Sequence, residues 1–217
     1  MLNRLNETLE AYQRRDPAAR SKWEVLLLYN GLHAIICYRI SHWLWNHRCR
    51  FLARLLSQIA KWLTGVEIYP AATIGRRLVI DHGTGIVVGA TTEIGDDCLI
   101  YQGVTLGGTG KDSGKRHPTI GNNVLIGSGA KVLGPFRVGD NARIASGAVV
   151  LREVPPNCTA VGVPAHVARL GGKAVHYADD VDQINVKDPV EADIVSLAQR
   201  ICQLEQQLKQ LQTKEDT

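Results

Sequence analysis

A six-residue beat governs the middle of this 217-residue chain. Branched aliphatic residues recur at Ile68, Ile74 and Ile80, then at Ile94, Ile100 and Leu106. They return at Ile120, Ile126, Val132, Val138, Ile144 and Val150. Glycine follows the aliphatic at Ile74, Ile94, Leu106, Ile120, Ile126 and Val138. A helix repeats about every 3.6 residues and a strand every two, so neither alone makes a beat of six. Strands of a β-sandwich recur roughly every 8–12 residues and alternate polar with apolar. A short fixed period sustained this long predicts a solenoid. Each hexad supplies one short strand and one turn, with its aliphatic pointing inward. Gly121, Asn122, Gly139 and Asn141 suit the corners, where a left-handed backbone is cheap. Three hexads close a triangular coil, and stacked coils bury a continuous aliphatic column that no repeat could bury alone.

The flanks read differently. Residues 1–64 predict helices: Leu2, Leu5, Leu9 and Tyr12 keep helical spacing until Asp16-Pro17. A second apolar stripe runs through Val25, Leu28, Leu32, Ile35, Ile36, Ile40 and Leu44, and a third through Leu52, Leu55, Leu56, Ile59 and Leu63. Trp43, Trp45 and Trp62 are expected to pack the helices together and against the solenoid. The helical segment can cap the open end of the coils, whose strand edges are otherwise unpaired. Residues 65–170 form the solenoid, and residues 171–187 read as loop. A last helix starts at Asp188-Pro189 and carries a heptad seam of Ile194, Leu197, Ile201, Leu204, Leu208 and Leu211. That seam suits either packing on its own subunit or self-association.

Bulk properties exclude several classes. The net charge of +4 is small and scattered, which argues against nucleic acid as a partner. No apolar run is long enough to span a bilayer, and the N-terminus lacks the apolar segment of a signal peptide, so a cytoplasmic protein without a membrane role is expected. Cys37, Cys49, Cys98, Cys158 and Cys202 are odd in number and form no CxxC pair, which predicts free thiols. No Cys/His grouping has zinc spacing, so no metal is expected.

Chemistry is expected where the beat breaks. Between Ile80 and Ile94 the period slips by two, around Asp81-His82-Gly83-Thr84-Gly85. Between Leu106 and Ile120 fourteen positions stand where six would suffice, and this stretch holds a glycine-rich run and Arg116-His117-Pro118. Loops extruded from a rigid scaffold are favoured sites of function. A histidine beside a register slip can serve as a general base. The glycine-rich loop lacks the strand-to-helix context and the ending of a P-loop.

These interruptions carry a resemblance. The run Ile80-Asp81-His82-Gly-Thr-Gly-Ile-Val-Val-Gly, the run Gln102-Gly-Val-Thr-Leu-Gly-Gly-Thr-Gly-Lys111, the triplet Arg116-His117-Pro118 and the closing Gly162-Val-Pro-Ala165 resemble serine O-acetyltransferases of the hexapeptide-repeat superfamily. Arg15-Asp16-Pro17-Ala18 and Tyr38-Arg39-Ile-Ser-His-Trp-Leu-Trp45 are similar to that family's N-terminal domain. The resemblance spans about residues 11–170. It implies an α+β chain in which an N-terminal α-helical domain precedes a left-handed parallel β-helix and a C-terminal helix. It implies acetyl transfer from acetyl-CoA to the hydroxyl of L-serine, in cysteine biosynthesis. Related enzymes of this fold acetylate other hydroxyls, such as homoserine or a sugar, and these remain the alternative acceptors.

The same resemblance assigns roles. His82 matches the catalytic base, and Glu67 matches the carboxylate that orients it, where many relatives have Asp. Asp16 and Asp81 match the residues that bind the serine ammonium, and Arg116 with His117 those that bind its carboxylate. Gly107, Gly108, Ser128, Arg143 and Ser146 match positions facing CoA. The family builds its site between neighbouring solenoids, so a homotrimer or a dimer of trimers is implied. L-cysteine as feedback inhibitor is a family trait. Family members that dock into O-acetylserine sulfhydrylase use a C-terminal peptide ending in isoleucine. This chain ends Lys214-Glu-Asp-Thr217, which speaks against that partner.

Overall fold

The computed structural model describes residues 2–110, 113–169, 200, 201, 203 and 204. The chain divides into two compact units, Met1–Val186 and Lys187–Thr217. The expected loop at 171–187 and most of the heptad seam lie outside the described residues. Residues 200, 201, 203 and 204 are helical.

Four helices come first: α1 (Leu2–Arg15), α2 (Lys22–Leu28), α3 (Asn30–Asn46) and α4 (Arg50–Thr64). Ser21 caps α2, its hydroxyl accepting the Glu24 N–H at 3.1 Å. The stripe expected to run unbroken from Val25 to Leu44 is split at Tyr29, whose extended backbone (φ −90°, ψ 105°) ends α2 and opens α3. Gly65, at φ +74°, closes α4. Among the described residues no helix is long and apolar enough to cross a membrane. Cys37, Cys49, Cys98 and Cys158 are free thiols.

Among the described residues fifteen short strands follow in three sheets. The first face stacks β1 (Glu67–Ile68), β4 (Val87–Val88), β7 (Thr105–Gly107), β10 (Lys131–Leu133) and β13 (Val149–Val150). The second stacks β2 (Thr73–Ile74), β5 (Glu93–Ile94), β8 (Thr119–Ile120) and β11 (Arg137–Val138). The third stacks β3 (Val79–Asp81), β6 (Leu99–Tyr101), β9 (Leu125–Ile126), β12 (Arg143–Ile144), β14 (Cys158–Val161) and β15 (His166–Arg169). All pairings are parallel except β14 with β15. The hexad aliphatics from Ile68 to Val150 are buried in one column, as expected of a β-helix. Val88 supplies the inward aliphatic that the slip conceals in the sequence.

The corners explain the turn residues. At the corner between the second and third faces, Arg77, Asp97, Asn123, Asn141 and Asn157 share a left-handed backbone. Their side chains stack into a ladder: Arg77 grips Asp97 with two bonds of 2.6 Å, and Asn123 donates to Asn141 and Asn141 to Asn157 at 2.9 and 3.1 Å. Of the four corner residues expected to be left-handed, only Asn141 is. Gly121 and Gly139 are needed for room instead: a Cβ would lie 2.2 Å from Asp140 Oδ1 and 2.4 Å from Pro156 N.

The helices cover the first coil and satisfy its open edges. In β3 the Ile80 N–H and C=O point away from β6, and the Tyr12 hydroxyl meets both, each at 3.1 Å. Arg39 donates to the carbonyls of Ile74 and Gly75, and Tyr38 to Ala72 at 2.6 Å. Unpaired backbone groups at a buried edge are costly, so these side chains stand in for a missing coil. Gly31 lets α3 press on β3, since a Cβ there would fall 2.1 Å from the Ile80 oxygen. Tyr12→Phe keeps the ring but orphans two buried backbone groups. A loss of about 2 kcal/mol or more is expected in chemical denaturation. A change below about 0.5 kcal/mol would contradict the capping role.

The apolar stripe of α4 faces outward: Leu52, Leu55, Ile59 and Leu63 are exposed, and Ala53, Ser57, Ala60 and Thr64 are buried. Small side chains on the inner face allow α4 to lie close to its neighbours. The expectation that all three tryptophans pack inward is corrected. Trp45 is half-buried, edge-on to Tyr69 at 5.5 Å, but Trp43 and Trp62 are 57% and 84% exposed and pack against no core.

Candidate active site

The slip in the beat lies at one corner, between β3 and β4. On later coils the equivalent corner turns on a single left-handed glycine: Gly103, Gly129 and Gly147. Gly85 is their counterpart, its N–H donating to the Gly65 carbonyl at 2.9 Å. The two residues inserted ahead of it are His82 and Gly83, also left-handed, at φ 57° and 64°. Gly83 N–H reaches the Asp81 carbonyl at 2.7 Å, and Thr84 N–H reaches that of His82 at 2.8 Å. Two three-residue turns in succession, the first centred on a non-glycine residue, are strained. The Asn30 side-chain amide clamps this turn, donating to the carbonyls of Thr64 and His82 at 3.0 and 3.1 Å. A Cβ on Gly83 would come 3.0 Å from Val66 and 3.2 Å from Asn30, so the clamp tolerates no larger residue comfortably. The result is an imidazole thrust into solvent: His82 is exposed, and among the described residues its ring makes no hydrogen bond.

Glu67 lies on the strand beneath, beside the Val66 on which the turn leans. Its carboxylate accepts from Lys61 at 2.5 Å and not from His82. Both partners of that ion pair are partly exposed, and such pairs contribute roughly 0–1 kcal/mol. Exchange of Lys61 for another cation is therefore cheap.

Two carboxylates share this corner. Asp16 follows α1, and Asp81 ends β3. Burial raises Asp81 above the usual carboxylate range; the adjacent His82 opposes the shift and the Asp16 charge adds to it. Asp16 is held on both oxygens, accepting from Ala18 N–H at 2.8 Å and from the Tyr29 hydroxyl at 2.6 Å. Like charges held close create a site for a cation.

The opposite edge of the β1–β4–β7–β10–β13 face carries the basic residues. His117 ends the extruded segment and is buried. Its Nδ1 receives the Thr91 N–H at 3.2 Å and lies 2.8 Å from the Thr91 hydroxyl. A backbone N–H can only donate, so Nδ1 accepts and the ring proton sits on Nε2. Burial, then the charges of Arg116 and Lys115, lower the His117 pKa and keep the ring neutral. The same Thr91 hydroxyl accepts the N–H groups of Arg116 and His117, each at 3.1 Å. Lys115 ties the loop to the Thr91 carbonyl at 2.6 Å and to Glu93 at 2.9 Å. Gly89 makes room for the ring, since a Cβ there would lie 1.9 Å from His117 Cδ2. Gly108 lies beneath Arg116, whose carbonyl a Cβ would meet at 3.0 Å, and Gly107 beside Leu133 at 2.9 Å.

Below His82 the same corner carries Gln102, Ser128 and Ser146 on successive coils. The Ser128 and Ser146 hydroxyls are 3.2 Å apart. Gln102 Oε1 is buried, with no hydrogen-bond partner among the described residues. Arg143 is buried on β12 between Leu125 and Thr159 in the ladder. The structure thus brings together Asp16, Asp81 and His82, and separately Arg116 and His117. Within one chain it does not join the two groups. Tyr29, Asn30, Gly89 and Thr91 escape sequence reasoning. Their partners lie far off in the chain, and nothing local marks them.

Comparison with known proteins agrees with this architecture. Residues 117–152 match the family model described as bacterial transferase hexapeptide (six repeats). The serine acetyltransferase of Helicobacter pylori (strain J99) is 61% identical over 161 residues, 74% of this chain and 94% of that one. That of Synechococcus elongatus is 53% identical over 197 residues, 91% of this chain and 80% of that one. A solved serine acetyltransferase in complex with cysteine superposes with a TM-score of 0.82 at 45% identity, covering 85% of this chain and 71% of that one. The Neisseria gonorrhoeae enzyme in complex with serine gives 0.74 at 43% identity, covering 76% and 68%. With a hexapeptide solenoid, an inserted histidine turn and relatives this close along most of its length, the chain belongs to the serine acetyltransferase family.

Proposed function

We propose that this chain transfers acetyl from acetyl-CoA to the hydroxyl of L-serine, giving O-acetyl-L-serine and CoA. The observation that carries the reading is the His82-Gly83 insertion: it lifts an imidazole out of the solenoid beside two carboxylates. Serine is a zwitterion and needs partners of both signs. Asp16 and Asp81 receive the ammonium, whose charge offsets the burial and the Asp16 repulsion that raise Asp81. Arg116 and the Nε2–H of His117 receive the carboxylate. A serine hydroxyl is a weak nucleophile, so His82 takes its proton as Oγ attacks the thioester carbon. Glu67, released from Lys61, stabilises the imidazolium. The tetrahedral intermediate collapses with loss of the CoA thiolate, which recovers the proton from His82. No covalent enzyme intermediate forms. Ser128 and Ser146 below the His82 corner of one copy, with Arg143 three residues before Ser146, and Gly107 and Gly108 at the His117 edge of the next copy line the course of CoA.

Because the acidic and basic groups stand at opposite edges of one face, a complete site forms when the His82 corner of one copy meets the His117 edge of the next. A homotrimer closes this arrangement, and a dimer of trimers is compatible with it. The outward apolar residues of α4, among them Phe51 and Trp62 at 78% and 84% exposure, offer further surface for assembly. Cysteine differs from serine by one atom at the nucleophile, so it competes for the same ammonium and carboxylate partners. That reading accords with the cysteine-bound relative.

The test is CoA release from acetyl-CoA with L-serine, L-homoserine and a hexose as acceptors. Serine is expected to be turned over in clear preference. Turnover of homoserine or the sugar, with serine inert, would replace this reading with the alternative acceptor.

A further inference from the structure

We propose that Tyr29 is a positioning residue of this reaction: its hydroxyl holds Asp16 in the orientation that, with Asp81, receives the substrate ammonium. The inference rests on the ammonium role of Asp16 proposed above and adds a residue that touches no substrate.

The geometry is specific. Tyr29 is the single residue between α2 and α3, and its N–H closes α2 on the Val25 carbonyl at 3.2 Å. Its ring stands edge-on to Tyr12, centroids 5.6 Å apart and planes at 85°. Tyr12 is itself fully buried, with its hydroxyl on both backbone groups of Ile80. The phenol is thereby aimed at Asp16 Oδ2, 2.6 Å away, while Ala18 N–H holds Oδ1. A carboxylate accepts about four hydrogen bonds, so two acceptor positions remain for an ammonium. Among the described residues Asp81 is held by no side-chain hydroxyl; its one donor is the His82 backbone N–H. The Asp16 hydrogen bond and the charges of Asp16, Glu24 and Asp81 add to desolvation in keeping the phenol protonated, so it remains a donor. The pair is asymmetric: one carboxylate is pinned by neutral donors, and the other faces His82 and Asp16 and carries the raised proton affinity.

A donor lost from a charged acceptor weakens ligand binding by roughly tenfold. Tyr29→Phe removes one oxygen and keeps the ring against Tyr12. The expected result is a KM for serine raised about tenfold, with kcat and the KM for acetyl-CoA within about twofold. Asp16→Asn and the double variant complete a cycle in which the two effects fall short of adding, because Tyr29 acts through Asp16. Asp16→Asn with an unchanged KM for serine would remove Asp16 from the ammonium site and this inference with it. A raised KM in Asp16→Asn but not in Tyr29→Phe removes Tyr29 alone. Additive effects, or a kcat that falls together with the rise in KM, assign Tyr29 a purely structural role and also overturn the proposal. Thermal melts of all three variants verify that folded enzyme is compared.

Discussion

Replacing His82 by alanine is expected to lower the turnover of serine by about 10² or more while acetyl-CoA still binds. Positioned general bases contribute about 10²–10⁴. Here the imidazole is the exposed part of a two-residue insertion whose packing falls to Gly83. The inserted turn is exposed, is strained at φ 57° and is held through its backbone by Asn30 rather than through the ring. Removing the ring therefore leaves the coil, the ladder and the groups assigned to CoA intact. Thiol release measures the rate, and calorimetry with CoA measures the retained binding. A rate within threefold of the unaltered enzyme would remove His82 from the mechanism, whatever the acceptor.

The second large effect concerns assembly. His82→Ala and His117→Ala are each expected to cost tenfold or more in kcat/KM for serine, because each removes one side of a shared site. Made together in equal amounts, they should rescue one another. In a random trimer about one interface in four pairs an intact His82 corner with an intact His117 edge, so activity should return to about a quarter of the unaltered level. Differently tagged chains recovered together prove that mixed trimers formed. Mixed trimers as inactive as either parent would show that each chain builds its own site, against the arrangement inferred from the two edges.

The fold was legible because its period is carried by aliphatics with no other reason to recur. The site was legible where the period failed. The slip near Asp81-His82 and the long return to Arg116-His117 mark the two places from which functional side chains emerge. What stayed hidden depends on distance in the chain. Thr91 organises His117 from 26 residues away, and Tyr12 completes β3 from 68 residues away. Neither threonine nor tyrosine announces such a duty locally. The stripe of α4 was read as helical, and its outward orientation was not legible. Periodicity reveals that a helix has two faces, and it does not say which of them this chain covers. Gly121 and Gly139 were assigned to turns for the freedom of their backbone, when the reason for them is the oxygen and nitrogen atoms pressed against their Cα positions.

The corner at Gly85 holds a wider lesson about how such scaffolds change. Although two residues precede it that no later coil has, Gly85 keeps the left-handed backbone and the donor bond of its counterparts, and every strand after it stays in step. Rungs are aligned by the rungs above and below them, so material added at a vertex is displayed outward without being passed down the stack. Ancestral solenoids could thus have tried new side chains at a vertex, kept or discarded them, and never reopened the question of how to fold.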